Sequence, residues 1–153
     1  MNDRITFELL QAARAYRVRS AKLLSRVGLY PGQDSLLKLL HERGPLTMGE
    51  AAAALSIQPP TVTKMVNRLS ASGLIRTDGA TTDRRKTFIA LTEEARAKVD
   101  EIERIWNRLE AEALEEVELT RELCDQLATI TRNLSRSGPA GTREHEIAHS
   151  DAA

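Results

Sequence analysis

Residues 47–91 read TMGEAAAALSIQPPTVTKMVNRLSASGLIRTDGATTDRRKTFIAL, and the order of elements in this stretch decides the fold. Thr47 and Glu50 stand at Ser/Thr-x-x-Glu spacing, a capping box in which two side chains satisfy orphan backbone N–H groups reciprocally. Four alanines and Leu55 follow, small residues that let a second helix approach. Ser56-Ile57-Gln58 makes a tight joint, and Pro59 sits where the first turn of a helix tolerates proline. Val62, Val66 and Leu69 then recur at helical spacing and are predicted to face the core. Thr61, Thr63, Lys64, Asn67 and Arg68 are left outward. That face carries hydrogen-bonding groups and two cations but no acid, which suits a major groove lined with acceptors and flanked by phosphates. Gly73 closes the helix. Residues 74–77 and 87–91 read as strands, joined by Asp78-Gly79 and a polar tip holding Arg84, Arg85 and Lys86.

A helical pair with small residues can be packing alone, and a charged hairpin tip can be merely solvated. The whole order is more specific: helix, turn, acid-free helix, glycine, strand, basic loop, strand. It describes a winged helix-turn-helix and predicts DNA binding, with Thr61, Thr63, Lys64 and Arg68 at the major groove and Gln58 and Asn67 at its margins. The alternative is a winged helix used as a protein-interaction scaffold, which has no need of the basic tip.

The rest of the chain is helical in pattern. Residues 4–27 read as one helix with an apolar stripe through Ile5, Leu9, Ala12, Tyr16, Leu23 and Val27. After a break at Gly28–Gly32, residues 34–43 form a helix whose Leu36, Leu37, Leu39 and Leu40 cover most of its surface, so burial is expected. Thr92 caps a long helix with Glu93 and Glu94 in its first turn, where the dipole favours anions. Val99, Ile102, Trp106, Leu109 and Ala113 run along one side of it. A last helix begins at Thr120, with Leu123, Leu127, Ile130 and Leu134 in a stripe. Together these long helices offer more apolar surface than one small winged helix can cover, and a dimerisation layer is the expected use. Residues 135–153 turn small and polar with Gly and Pro and are expected to form a flexible tail. The predicted class is therefore mainly α with a small β-wing. A single domain spans residues 1–134, with the winged helix-turn-helix at 31–91 and dimerisation helices at 4–27 and 92–134.

Composition bounds the partners. The 153 residues carry a formal net charge of +0, with 41% hydrophobic and only 3% aromatic residues. The charge is uneven: residues 58–91 hold six basic and two acidic groups, whereas residues 92–134 hold six basic and 12 acidic. The single cysteine, Cys124, excludes an intramolecular disulfide framework and, beside the Leu123/Leu127 stripe, is expected to be a small buried hydrophobe. With no signal peptide and no apolar span, a cytoplasmic protein that does not enter the membrane is expected. No nucleophile elbow, phosphate-binding glycine loop, zinc-protease motif or CxxC is present, and His41, His145 and His149 lack convincing ligand partners. Neither an enzyme nor a metal or cofactor site is expected.

The stretch LTMGEAAAALSIQPPTVTKMVNRLSASGLI, the wing signature DRRKTFIALT and the upstream GLYPGQDSLLKLLHERGPLT resemble the MarR (multiple antibiotic resistance regulator) family over roughly residues 4 to 134. The resemblance implies a homodimer of winged helices that represses genes from a pseudo-palindromic operator and releases DNA when a small, often aromatic or phenolic, molecule binds. By the same resemblance Arg85 enters the minor groove, Asp83 braces the wing around it, and Arg84 and Lys86 touch phosphates. An effector pocket is implied between the dimer layer and the winged domain, where the nearby polar groups are Tyr16, Arg19, Tyr30, Gln33 and Asp34. Arg19 beside tyrosines suits an aromatic carboxylate. One departure is Gln58, which stands where such helices commonly carry a stronger cap such as Ser.

Overall fold

The structure is a computed structural model and describes residues 4–79, 87–118 and 121–136. Its elements run α1 (Ile5–Leu24), a 3-10 turn (Ser25–Val27), α2 (Gln33–Arg43), β1 (Leu46–Thr47), α3 (Met48–Leu55), α4 (Pro59–Ala71), β2 (Ile75–Gly79), β3 (Thr87–Leu91), α5 (Glu93–Ala113) and α6 (Arg121–Arg136). This is the winged helix-turn-helix that the order of residues 47–91 predicts.

Local chemistry accounts for each boundary. The Thr47 hydroxyl accepts from Glu50 N–H at 3.2 Å while the Glu50 carboxylate accepts from Thr47 N–H at 2.7 Å, so the capping box is closed. Ala51 and Ala52 are buried, and their short side chains give α4 its seat beside α3. At the joint, Ser56 adopts a left-handed conformation and Ile57 N–H donates to Ala52 C=O at 3.1 Å. Val62, Val66 and Leu69 face inward and belong to the same core cluster as Leu24, Leu36, Leu37 and Ile102. The α4 exit is tied to α5: the Thr92 hydroxyl donates to Gly73 C=O at 2.7 Å and accepts from Ala95 N–H at 3.3 Å.

The sheet is antiparallel in the order β1-β3-β2. β2 pairs with β3 from Ile75↔Leu91 to Gly79↔Thr87, and β1 adds Leu46↔Ile89 and Thr47↔Phe88. Three details differ from the sequence reading. Asp78 and Gly79 belong to β2 rather than to the turn. The two-residue β1 has no signature in the sequence, because so short a run carries no periodicity of its own. The first helix ends at Leu24, after which a 3-10 turn reaches Gly28, whose φ of 74° closes it with Leu29 N–H donating to Leu24 C=O.

The chain divides after Glu115 into two units. In the first, α5 buries Ala95, Val99, Ile102 and Leu109, with Trp106 half-buried. α1 is open along much of its length: Ile5 is 75% and Val18 74% exposed. In the second, α6 has no buried residue and Leu134 is 64% exposed. Cys124 is exposed as well, which corrects the expectation of burial. α6 includes Ser135 and Arg136, and the remainder of the expected tail lies outside the described residues. No helix among them is long and apolar enough to cross a membrane.

The closed capping box makes Thr47→Ala a clean test of local stability. The substitution is expected to cost about 1 kcal/mol in urea-induced unfolding with an unchanged m-value; an unchanged midpoint would show that the box contributes nothing.

Candidate nucleic-acid interface

α4 begins on Gln58, whose side chain makes no capping bond, and Pro59 and Pro60 occupy the first helical positions. Thr61 N–H donates to Gln58 C=O at 2.9 Å, so the backbone turn replaces the missing side-chain cap. With Val62, Val66 and Leu69 buried, the helix turns Thr61, Thr63, Lys64, Asn67 and Arg68 to the surface. Lys64 and Arg68 lie four apart and therefore on one side. Thr63 is less free than its exposure suggests, because its hydroxyl donates to Pro59 C=O at 3.1 Å. The guanidinium of Arg68 lies over the Tyr30 ring, 5.8 Å from the centroid. Asp83, Arg84, Arg85 and Lys86 lie outside the described residues.

Behind α4 is a cavity of about 430 Å³. Tyr16, Arg17 and Ser20 contribute to it from α1, Pro31, Gly32 and Asp34 from the start of α2, Thr61 and Met65 from α4, and Trp106 from α5. Of the five residues singled out for an effector, the structure brings only Tyr16 and Asp34 to this cavity. Burial, and then the charges of Asp34 and Glu110, push the Tyr16 phenol up from its ordinary pKa, so it remains a hydrogen-bond donor. Asp34 is 5% exposed, and its carboxylate accepts from Gly32 N–H at 2.8 Å and from Trp106 Nε1 at 2.9 Å.

The other three do not line it. Gln33 is buried and spends its amide oxygen on Tyr30 N–H at 2.9 Å. Tyr30 is 62% exposed and faces Arg68. Arg19 instead makes a two-pronged pair with Glu112 at 2.6 and 2.7 Å, and Glu112 also accepts from Arg108 at 2.7 Å. These partners are 93 residues apart, a pairing that helical periodicity within α1 cannot reveal. Arg17, which the sequence reading passed over, is the arginine at the cavity. Among the described residues no His/Cys/Asp/Glu group could hold a metal ion.

A helix-turn-helix with a paired wing, presenting an acid-free helical face, defines a DNA-binding module of the winged-helix class. The MarR family model matches residues 29–87. The HTH-type transcriptional regulator YwoH of Bacillus subtilis is 34% identical over 67% of this chain and 74% of its own. The transcriptional repressor MdtR, from the same organism, is 30% identical over 80% and 77%. Among solved structures, a probable transcriptional regulator from Pseudomonas aeruginosa superposes with a TM-score of 0.72 at 26% identity, covering 86% of this chain and 97% of that one. The chain belongs to the MarR family of DNA-binding transcriptional regulators.

The Arg19–Glu112 pair has a pH signature. The bond from Arg19, and then that from Arg108, hold the Glu112 carboxyl at about 2, against an ordinary value of 4.5. A depressed carboxylate pKa contributes stability above the unfolded value and loses it as pH falls toward the folded one. The difference in melting temperature between the wild type and Glu112→Gln is therefore expected to be constant above about pH 5 and to shrink between about pH 4.5 and 2. Because the pair is exposed, added salt should reduce it. A difference that is flat across that acid range would contradict the assignment.

Proposed function

We propose that the protein is a homodimeric repressor that reads a pseudo-palindromic duplex with α4 and releases it when a small molecule fills the cavity behind that helix. The acid-free outward face of α4 carries the reading. Lys64 and Arg68 stand on it with polar Thr61 and Asn67, while the opposite face is locked in the core. Two copies related by a two-fold axis would place their α4 helices at half-sites about 10 bp apart. The exposed apolar residues of α1, and separately those of α6, supply surface for such a partner. By family resemblance, Arg85 at the wing enters the neighbouring minor groove, whose narrow form concentrates negative potential.

Binding of a duplex selected by the protein from a randomised pool, followed by fluorescence anisotropy over a salt series, tests this reading. Affinity is expected to fall steeply and log-linearly with salt, as counterion release requires. Arg68→Ala should weaken binding by about 1–3 kcal/mol and relax preference at one base position. Binding that is unaffected by salt and by Arg68→Ala would leave only the protein-interaction scaffold.

The cavity joins Arg17 and the Tyr16 hydroxyl to the apolar walls of Ile57, Met65 and Trp106. That set accommodates a small aromatic acid, with the ring against the walls and the anion on Arg17 rather than on Arg19. A thermal-shift series of small aromatic acids should yield compounds that both stabilise the protein and lower its DNA affinity. Arg17→Ala is expected to remove both effects while leaving ligand-free DNA binding unchanged. Stabilising compounds that leave DNA affinity intact would overturn the effector role and spare the DNA-binding one.

A further inference from the structure

We propose that Tyr30 is a positioning residue for DNA reading: its ring holds the Arg68 guanidinium in place on the groove-facing side of α4. The inference rests on the reading of α4 proposed above and assigns a function to a residue outside the helix-turn-helix itself.

The geometry is that of a cation on an aromatic face, with Arg68 Cζ 5.8 Å from the ring centroid. Tyr30 is 62% exposed, so core packing does not explain where it sits. Its base is nonetheless fixed. Tyr30 N–H donates to the buried Gln33 side chain at 2.9 Å, and Tyr30 C=O accepts from Gln33 N–H at 3.0 Å. Two residues on, Gly32 has φ 94° and packs so tightly on α4 that a Cβ there would stand 3.2 Å from Met65 Sδ. Asp34 accepts from Gly32 N–H and is itself held by Trp106. The exposed ring therefore rises from a clamped turn that abuts α4 one helical turn before Arg68.

What the ring does for Arg68 differs from what a carboxylate would do. A carboxylate occupies the in-plane N–H donors and cancels the charge. A ring engages the flat face and leaves the fork of donors free for a guanine edge or a phosphate. Among the described residues Arg68 has no carboxylate partner. A long arginine otherwise loses much rotamer freedom on docking, and stacking on Tyr30 removes part of that loss before DNA arrives.

The test is anisotropy with a duplex selected from a randomised pool by the wild-type protein, and with single-base-pair variants of it. Tyr30→Leu is expected to weaken binding about two- to five-fold and to lose discrimination at the same base position that Arg68→Ala relaxes. Tyr30→Phe, which keeps the face and loses only the hydroxyl, should restore wild-type affinity and discrimination. In an Arg68→Ala background Tyr30→Leu should add nothing. Melting temperatures should be close to wild type for both Tyr30 variants, since the side chain is exposed. Wild-type binding by Tyr30→Leu, alongside weakened binding by Arg68→Ala, would overturn the positioning role and leave the α4 reading intact. Equal losses in Tyr30→Phe and Tyr30→Leu would overturn it in favour of a hydroxyl contact to phosphate. If Arg68→Ala itself has no effect, the reading of α4 and this inference fall together.

Discussion

Asp34 is a buried carboxylate, and its two hydrogen bonds tie together the parts that matter. One comes from the indole of Trp106 on α5 and the other from Gly32 N–H in the turn ahead of α2. Bonds to a charged acceptor contribute about 1.5–3 kcal/mol each, and a buried acceptor deprived of its donors costs comparably. The turn at Gly32 is thereby held against the long helix that carries much of the apolar core. A Cβ added at Gly32 would stand only 3.2 Å from Met65 Sδ, so the turn that this carboxylate holds lies close against α4. The helix-turn-helix is thus not held only by its internal alanine contacts. It is registered on α5 through Asp34, and the same residue forms part of the cavity wall.

Most of the architecture was legible because its signals are local. Thr47 and Glu50 announce a cap within four residues, and the Val62, Val66, Leu69 spacing states which way α4 faces. Thr92 was readable as a cap, but its donation to Gly73 C=O was not, since it joins residues 19 apart. The same limit applies more strongly to the candidate sites. Tyr16 and Asp34 were placed near the junction by their elements, and both reach the cavity. Arg19 stands near two tyrosines in the sequence, whereas its pairing with Glu112, 93 residues away, leaves no local sign. Tyr30 and Arg68 lie 38 positions apart in sequence, so nothing in either helical pattern brings them together. Cys124 departs from expectation for another reason: α6 buries none of its residues, so the apolar spacing beside it does not translate into burial.

The charge distribution follows the same division of labour. A formal net charge of +0 conceals an excess of cations over residues 58–91 and of acids over residues 92–134. Long-range attraction to DNA from net charge alone is therefore weak, and in the proposed reading binding comes from a few well-placed groups on α4 and the wing. That arrangement makes each placed cation matter more than it would on a uniformly basic surface. It also makes affinity sensitive to geometry, because there is little non-specific attraction to compensate for a misplaced helix.

Sensitivity to geometry is what a regulator needs. In the proposed reading α4 is at once the DNA-facing helix and, through Thr61 and Met65, a wall of the cavity. A ligand acts on such a helix only if it favours one placement over another, and its leverage equals that difference in affinity. Couplings of about 1–3 kcal/mol are typical of such switches, the same size as the loss of one good base contact. On the proposed reading a small displacement of α4 would therefore be enough, provided that it strained a contact the complex cannot replace. The Tyr30 turn bears on this directly. Pro31 and Gly32 line the cavity while Tyr30, next in the chain, faces Arg68. On the proposed reading, cavity occupancy and arginine placement would thus meet in three consecutive residues, and coupling would require no pathway longer than one turn.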